Sequence, residues 1–272
     1  MIVDGYIELT AWQVAIAASL VLVNGAVSVA LRLGLARSLV LASLRMVVQL
    51  LLIGYVLRWV FQSNSVTAVL ALAMVMTVIA GVSAVRRTER RFPGDYLASS
   101  VSVLVSSWTV TAFGIVAVLN KADTWYEPQY TIPILGMILG NTLTGISLGL
   151  GRLEDDLVVR RDFVEMSLAL GATSWEAARG PVRQAVRTGM IPMINSMMVT
   201  GIVSLPGMMT GQLLSGVSPL EAVKYQIVIL FLIASGTALG TVGVVLLSFR
   251  RLFNRSHQFQ SQLLTAVEVG RR

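Results

Sequence analysis

Seven stretches of this chain are long enough and apolar enough to cross a lipid bilayer, and no other feature restricts the fold as strongly. A spanning helix needs roughly 20 mainly apolar residues to cross about 30 Å of hydrocarbon, where each backbone amide and carbonyl must be satisfied within the segment. By that measure the spans fall at about 10–31, 38–61, 64–85, 97–119, 130–150, 190–214 and 223–249, with ends uncertain by ~3 residues. This predicts an all-α, polytopic membrane protein whose residues 1–272 form a single transmembrane domain. Hydrophobic residues make up 55% of the chain and charged residues 13%, a balance outside the range of soluble globular domains. One linker alone is long, the stretch 152–189.

An odd number of spans puts the termini on opposite sides, and the basic residues choose between the two orientations. With the N-terminus outside, the inner segments hold Arg32, Arg37, Arg86, Arg87, Arg90, Arg91, Arg152, Arg160, Arg161, Arg179, Arg183, Arg187, Arg250, Arg251, Arg255, Arg271 and Arg272, which is 17 of the 21. The outer segments keep Arg58, Lys121 and Lys224, and Arg45 lies within a span. So lopsided a split follows the positive-inside rule and predicts N-out, C-in. Trp12, Trp59, Trp125, Tyr126 and Tyr130 then fall at the outer interface, where amphipathic rings are favoured. The inner loops account for the net charge of +7, so the expected surroundings are membrane lipid and not nucleic acid. The acidic start "MIVDGYIELT" has no basic region or small-residue cleavage site and does not read as a signal peptide. A multi-pass protein of the inner or plasma membrane is the expectation.

The side chains present exclude most chemistry. Cysteine is absent and His257 is the single histidine, which removes disulfides, Cys/His metal cages, thiol nucleophiles and imidazole acid–base catalysis. No nucleophile–base pair marks a membrane enzyme. An ion-coupled secondary transporter remains an alternative, although the spans lack the Asp/Glu relay such coupling normally uses. No G-x-x-x-x-G-K-[ST] occurs, so this chain binds no nucleotide cofactor in the usual cradle, and any ATP and Mg²⁺ belong to a partner subunit.

The long linker carries the sequence "VEMSLALGATSWEAARGPVRQAVRTGMIP" at 164–192, two soluble helical patterns around a glycine, closed by Pro192. Phe163, Met166, Leu170 and Trp175 stand among charged residues with amphipathic spacing. Gly171 supplies the left-handed residue that ends a helix, and Thr173 or Ser174 can cap the next. One reading is a connector folded on its own membrane domain. The other is a docking elbow, favoured because this is the one substantial soluble element in a chain without an engine of its own.

Here a family resemblance enters. "EMSLALGATSWEAA", from Glu165, resembles the coupling loop of ABC-transporter permeases, with Met166 and Ser167 where a pair of alanines is usual. "RMVVQLLLIGYVLRWVF" (45–61), "IPILGMILGNTLTGISL" (132–148), "SLALGAT" (167–173) and "AVRTGMIPMINSMMVTGIVSLPGMMTGQLLSGVSPLEAVKYQI" (185–227) resemble, in order, the iron-export ABC permease family of the FetB-like type, which has plant relatives associated with aluminium tolerance. The resemblance spans about residues 40 to 257, and "SLPGMM" is its most distinctive element. It implies two permease copies, a homodimer, joined to two cytoplasmic ABC ATPase subunits in a 2+2 complex that moves iron outward. It also implies that Glu165, Met166, Leu170, Gly171, Ala172, Thr173 and Trp175 meet the ATPase. An ABC permease for a non-metal small solute is the nearest alternative.

Polar and irregular positions inside the spans are candidates for the path, because they cost free energy to keep in lipid. Arg45 and Gln49 share a face of the second span; Arg45 can snorkel to the headgroups or hold Asn141, Asn195 or a carbonyl at a gate. "GMILG" (136–140), "GISLG" (145–149), "GMMTG" (207–211) and "GTALG" (236–240) segregate to the second half of the chain, which predicts a tight core and a dimer seam among the last three spans. Pro206 lacks an amide proton and disfavours helix at Leu205, so the sixth span should kink or break there and the path should run along Ser204, Pro206, Gly207, Met208, Met209 and Gln212. A kink with no transport role is the competing reading. Met137, Met208 and Met209 offer thioethers, which suit soft metals better than iron and are equally ordinary packing material.

Overall fold

The computed structural model describes residues 10–63, 65–120, 125–254 and 256–266. Lys121, Arg255, Arg271 and Arg272 of the charge count, and the N-terminal stretch up to residue 9, lie outside the described residues. The helices are α1 (Ala11–Ala30), α2 (Ala36–Ser63), α3 (Val66–Arg86), α4 (Asp95–Phe113, continued by a π-helical turn Gly114–Val118), α5 (Pro128–Val159), α6 (Arg161–Ala169), α7 (Ser174–Val199), α8 (Gly207–Leu214) and α9 (Pro219–Leu252). Six of them, α1 to α5 and α9, are long and apolar enough to cross a membrane.

The sixth stretch, expected over 190–214 with a kink or break near Pro206, is two helices. Helix α7 stops at Val199 and α8 begins at Gly207, with Gly201 between them at φ +85°. Hydropathy registers composition, whereas a left-handed glycine and a proline without an amide proton decide whether a helix can run on. The break opens at Thr200, several residues before the expected Leu205, and Pro206 serves as the N-cap of α8.

The soluble segment expected over 152–189 is also built differently. Helix α5 has 32 residues, about 48 Å, and continues past 150 to Val159. Helix α7 has 26 residues, about 39 Å, and runs through both Pro181 and Pro192. The charges at Arg152, Glu154, Asp155 and Asp156 end the apolar stretch without ending the helix, because all are tolerated in a helix interior. The elbow is therefore the meeting of two long helices, joined by the nine residues of α6. This end of the bundle, called the hairpin end below, also holds the α1–α2 and α3–α4 turns.

The core lies where α5 is surrounded by α3, α4, α7 and α9. A Cβ added at Gly189 would sit 2.5 Å from the Gly145 carbonyl oxygen, so α5 and α7 meet backbone to backbone, and one added at Gly145 would sit 2.6 Å from Thr241 Oγ1, so α9 closes on the same point with a small side chain. Gly236 and Gly240 likewise press on Ile138 and Thr142. Small residues permit such contact, and dispersion between close backbones holds helices together where lipid is as apolar as the protein. Helices α1 and α2, by contrast, bury only Gly25, Ser28 and Val60 between them, an apolar surface suited to lipid.

After α9 the chain turns back. Phe253 bridges to Phe259, a 3-10 turn follows at Ser261–Leu263, and strand β2 (Thr265–Ala266) pairs antiparallel with β1 (Arg90–Arg91) in the α3–α4 turn.

Candidate functional site

The elbow is set by local chemistry. Gly171, at φ +92°, closes α6 with two hydrogen bonds: its N–H donates to the Leu168 carbonyl (3.0 Å) and the Ala172 N–H to that of Ser167 (3.1 Å). This is the Schellman arrangement, in which a left-handed glycine satisfies the last carbonyls of a helix. Thr173 then caps α7: its hydroxyl accepts from the Glu176 N–H, and its own N–H donates to the Glu176 carboxylate at 2.8 Å. The Thr173 N–H foremost, and then the Thr173 hydroxyl donating to the same carboxylate at 2.8 Å, hold the Glu176 carboxyl below the usual carboxylate range. Of the two capping residues the sequence allowed, Thr173 is the one used.

Val164 is fully buried beneath α6, while Phe163, Met166 and Leu170 point away from the bundle, Leu170 at 82% exposure. Three apolar side chains on one face of a short helix, offered to water, form a knob of the kind a groove on another protein accepts. Glu165 pairs with Arg161 at 2.7 Å on the flank. Ala172 is half-buried. Trp175 is divided: it is half-exposed, yet its ring meets Phe249 edge-on at 5.7 Å.

The broken crossing opens a second region. Gly145 lies against Gly189, and Gly149 against the Ala185 carbonyl, so α5 and α7 run antiparallel in a fixed register. That register sets Asn195 about two residues, roughly 3 Å along the axis, from Asn141. Both asparagines are exposed, and Met137 and Thr144, half-buried, flank Asn141 on α5. Within the break Ser204 is exposed and Pro206 half-buried, and on α8 Gly207 is exposed with Met208 and Met209 half-buried. No atom lies within 4 Å of a Cβ added at Gly140, Gly207 or Gly211, in contrast to the glycines of the core. Near the far end, a cavity of about 340 Å³ is lined by Tyr130, Met208, Gln212, Glu221 and Tyr225, and Gln212 Oε1 is buried there without a hydrogen-bond partner among the described residues.

Arg45 and Gln49 do not join this group. Both are exposed on α2, which packs mainly on α1, and neither side chain is hydrogen-bonded or ion-paired among the described residues.

Sequence reasoning missed two features. Glu154 (1% exposed) and Asp95 are buried at the hairpin ends of α5 and α4, and neither Glu154 oxygen has a hydrogen-bond partner among the described residues. A glutamate four residues past an apolar stretch carries no sign in the sequence that it will be covered. The other is His257, whose Nδ1 accepts from the Ser174 N–H at 3.2 Å and lies 2.9 Å from the Ser174 hydroxyl, 83 positions away in the chain.

Comparison with known proteins places the chain. The UPF0014 membrane protein slr1647 of Synechocystis is 38% identical over 83% of this chain and 87% of that protein. The Protein ALUMINUM SENSITIVE 3 of Arabidopsis thaliana is 33% identical over 92% of this chain and 90% of its own length. The probable iron export permease protein FetB of Escherichia coli is 29% identical over 92% and 95%. No solved structure matches at a significant level. The resemblance read from the motifs thus holds across nearly the whole chain. Residues 11–253, from the first turn of α1 to the end of α9, match the model of the Uncharacterised protein family UPF0014, and the chain is a multi-pass membrane protein of that family.

Proposed function

We propose that the chain is the membrane subunit of an ATP-binding-cassette exporter, in which two copies join two cytoplasmic ATPase subunits that hold the ATP and Mg²⁺. One observation carries this reading: an exposed apolar knob at Phe163, Met166 and Leu170 adjoins a helix, α7, that runs without interruption from Ser174 to the break at Thr200. A knob of this kind fits a cleft on a soluble partner, and a stiff helix transmits displacement at its base to its far end. The hairpin end then lies in the cytoplasm, in keeping with the arginines gathered there.

The path follows the open face of α5, α7 and α8, past Asn141, Asn195, Ser204, Met208 and Met209, and leaves by the cavity beside Gln212. Asparagine side chains facing hydrocarbon are costly, so a second copy covers this face and encloses a polar route. The cargo is a metal ion, iron first, by likeness to the relative named as an iron export permease. With no cysteine and one histidine in the chain, the ion crosses weakly held, hydrated or chelated.

Leu170→Asp or Gly171→Pro should leave the protein folded in the membrane and abolish co-purification with its ATPase; a complex recovered in wild-type amount from both variants removes the elbow as the docking site. A second reading, the ion-coupled secondary transporter, draws on the burial of Glu154 and Asp95. Vesicles that accumulate Fe²⁺ under an imposed proton gradient with no ATPase present would establish it over the first.

A further inference from the structure

The segment that follows α9 ties together two parts of the hairpin end that the helices leave apart. Helix α7 packs chiefly on α5 and α9, whereas α3 and α4 pack on each other and on the opposite sides of the same two helices. Phe253–Ala266 runs between them. At one end His257 Nδ1 accepts from the N–H of Ser174, the first residue of α7. That N–H is one of the four that a helix N-terminus leaves without an internal partner, and its donation fixes the imidazole as an acceptor at Nδ1. Below it a ladder of rings, Trp175 to Phe249 (5.7 Å), Phe249 to Phe253 (5.1 Å) and Phe253 to Phe259 (5.2 Å), fastens the base of α7 to the end of α9 and the returning chain.

At the other end β2 pairs with Arg90 and Arg91, and Thr265 Oγ1 donates to the Arg91 carbonyl at 3.3 Å. Arg91 is itself built into the α3–α4 turn, bonded to the Val85 carbonyl and Thr88 Oγ1 and lying over the Tyr96 ring. Arg90 reaches Asp155 on α5 at 3.2 Å. Little slack separates the two attachments. Asn254 Oδ1 accepts from the Ser256 and Gln258 N–H groups, the Gln260 N–H donates to the Leu252 carbonyl at 2.9 Å, and a 3-10 turn takes up Ser261–Leu263.

We propose that this C-terminal strap is a second arm of the coupling machinery: His257 holds the first residue of α7 and β2 holds the α3–α4 turn, so that movement of the elbow is delivered to α3 and α4 as well as to α7. His257 is a positioning residue in this scheme. The proposal rests on the elbow being the ATPase docking site.

The absence of native cysteine makes the test direct. In the permease–ATPase complex in lipid nanodiscs, spin labels are placed at Arg37→Cys with Glu89→Cys, and separately at Arg37→Cys with Arg179→Cys. Distances are compared without nucleotide and with ATP plus vanadate. Both distances should shift in the otherwise wild-type complex. With His257→Ala, or with the chain ended after Gln260, the Arg179 shift should persist and the Glu89 shift should be lost. His257→Asn should restore it, since asparagine keeps an acceptor and tolerates the positive φ (56°) found at this position. The truncation carries the test alone if His257→Ala does not assemble. A Glu89 shift retained in the variants, or missing from the wild type while Arg179 moves, overturns the strap and leaves the elbow standing. If Leu170→Asp leaves ATPase binding intact, the elbow reading fails and the strap falls with it.

Discussion

Gly145 and Gly149 on α5 and Gly207 and Gly211 on α8 share one spacing and meet opposite surroundings. A Cβ on either of the first pair would stand under 3 Å from Thr241, with Gly189 and Ala185 close behind, while nothing lies within 4 Å of one on the second. The spacing permits close approach but does not name the partner. Within one chain, the glycines that found partners make the core, and the unmatched ones mark a surface on which something else is expected to rest. The largest effect should therefore come from the core: Gly189→Val forces a side chain onto a backbone oxygen that cannot rotate away, and overpacking of that kind costs about 3 kcal/mol. Thermal unfolding in detergent, followed by size-exclusion chromatography, should show a deep loss of stability. A wild-type melting curve would mean that the backbone contact is not what holds α5 to α7.

Gly211→Leu is the counterpart on the open side. No atom stands in the way, so melting should be unchanged. If the open face of α5, α7 and α8 is the seam between copies, the dissociation constant of the dimer should rise by roughly tenfold, about 1.4 kcal/mol. Subunit exchange between differently labelled copies in nanodiscs measures it. Unaltered exchange would move the seam to another surface, with the exposed α1–α2 pair next in line.

The same contrast explains what could be read in the sequence. Six crossings were legible because about twenty apolar residues in a row leave a chain few other options. The cap at Thr173 and the turn at Gly171 were legible because capping is local chemistry, decided within four residues. The break expected at Pro206 in the span over 190–214 was legible from the missing amide proton, whereas its opening at Thr200 was not, because hydropathy and composition do not show that Gly201 takes a left-handed conformation. The reach of α5 to Val159 was missed because charge stops membrane insertion and not helix propagation. Nothing nearby in sequence announces that His257 meets Ser174, or that Glu154 is covered, since those outcomes depend on segments folded in from elsewhere.

The smallest effect belongs to the elbow's own cap, which separates local stability from coupling. Thr173→Ala removes the hydroxyl that accepts from the Glu176 N–H, a change worth about 1 kcal/mol at a helix N-terminus. Helix α7 is held along most of its length by α5 and α9, so fraying should be confined to its first turn and global melting should barely move. Hydrogen exchange at the amides of residues 174–178 is the measurement. Because the Glu176 carboxyl is held below its usual range in the fold, its contribution is complete above the unfolded carboxyl's pKa and is lost as the pH falls through the lower folded value. The same amides should thus become less protected on acidification in the wild type and change less in Thr173→Ala, which has already lost part of the box. Equal acid sensitivity in both would mean that the carboxylate, bonded to the Thr173 backbone N–H alone, caps the helix without help from the hydroxyl.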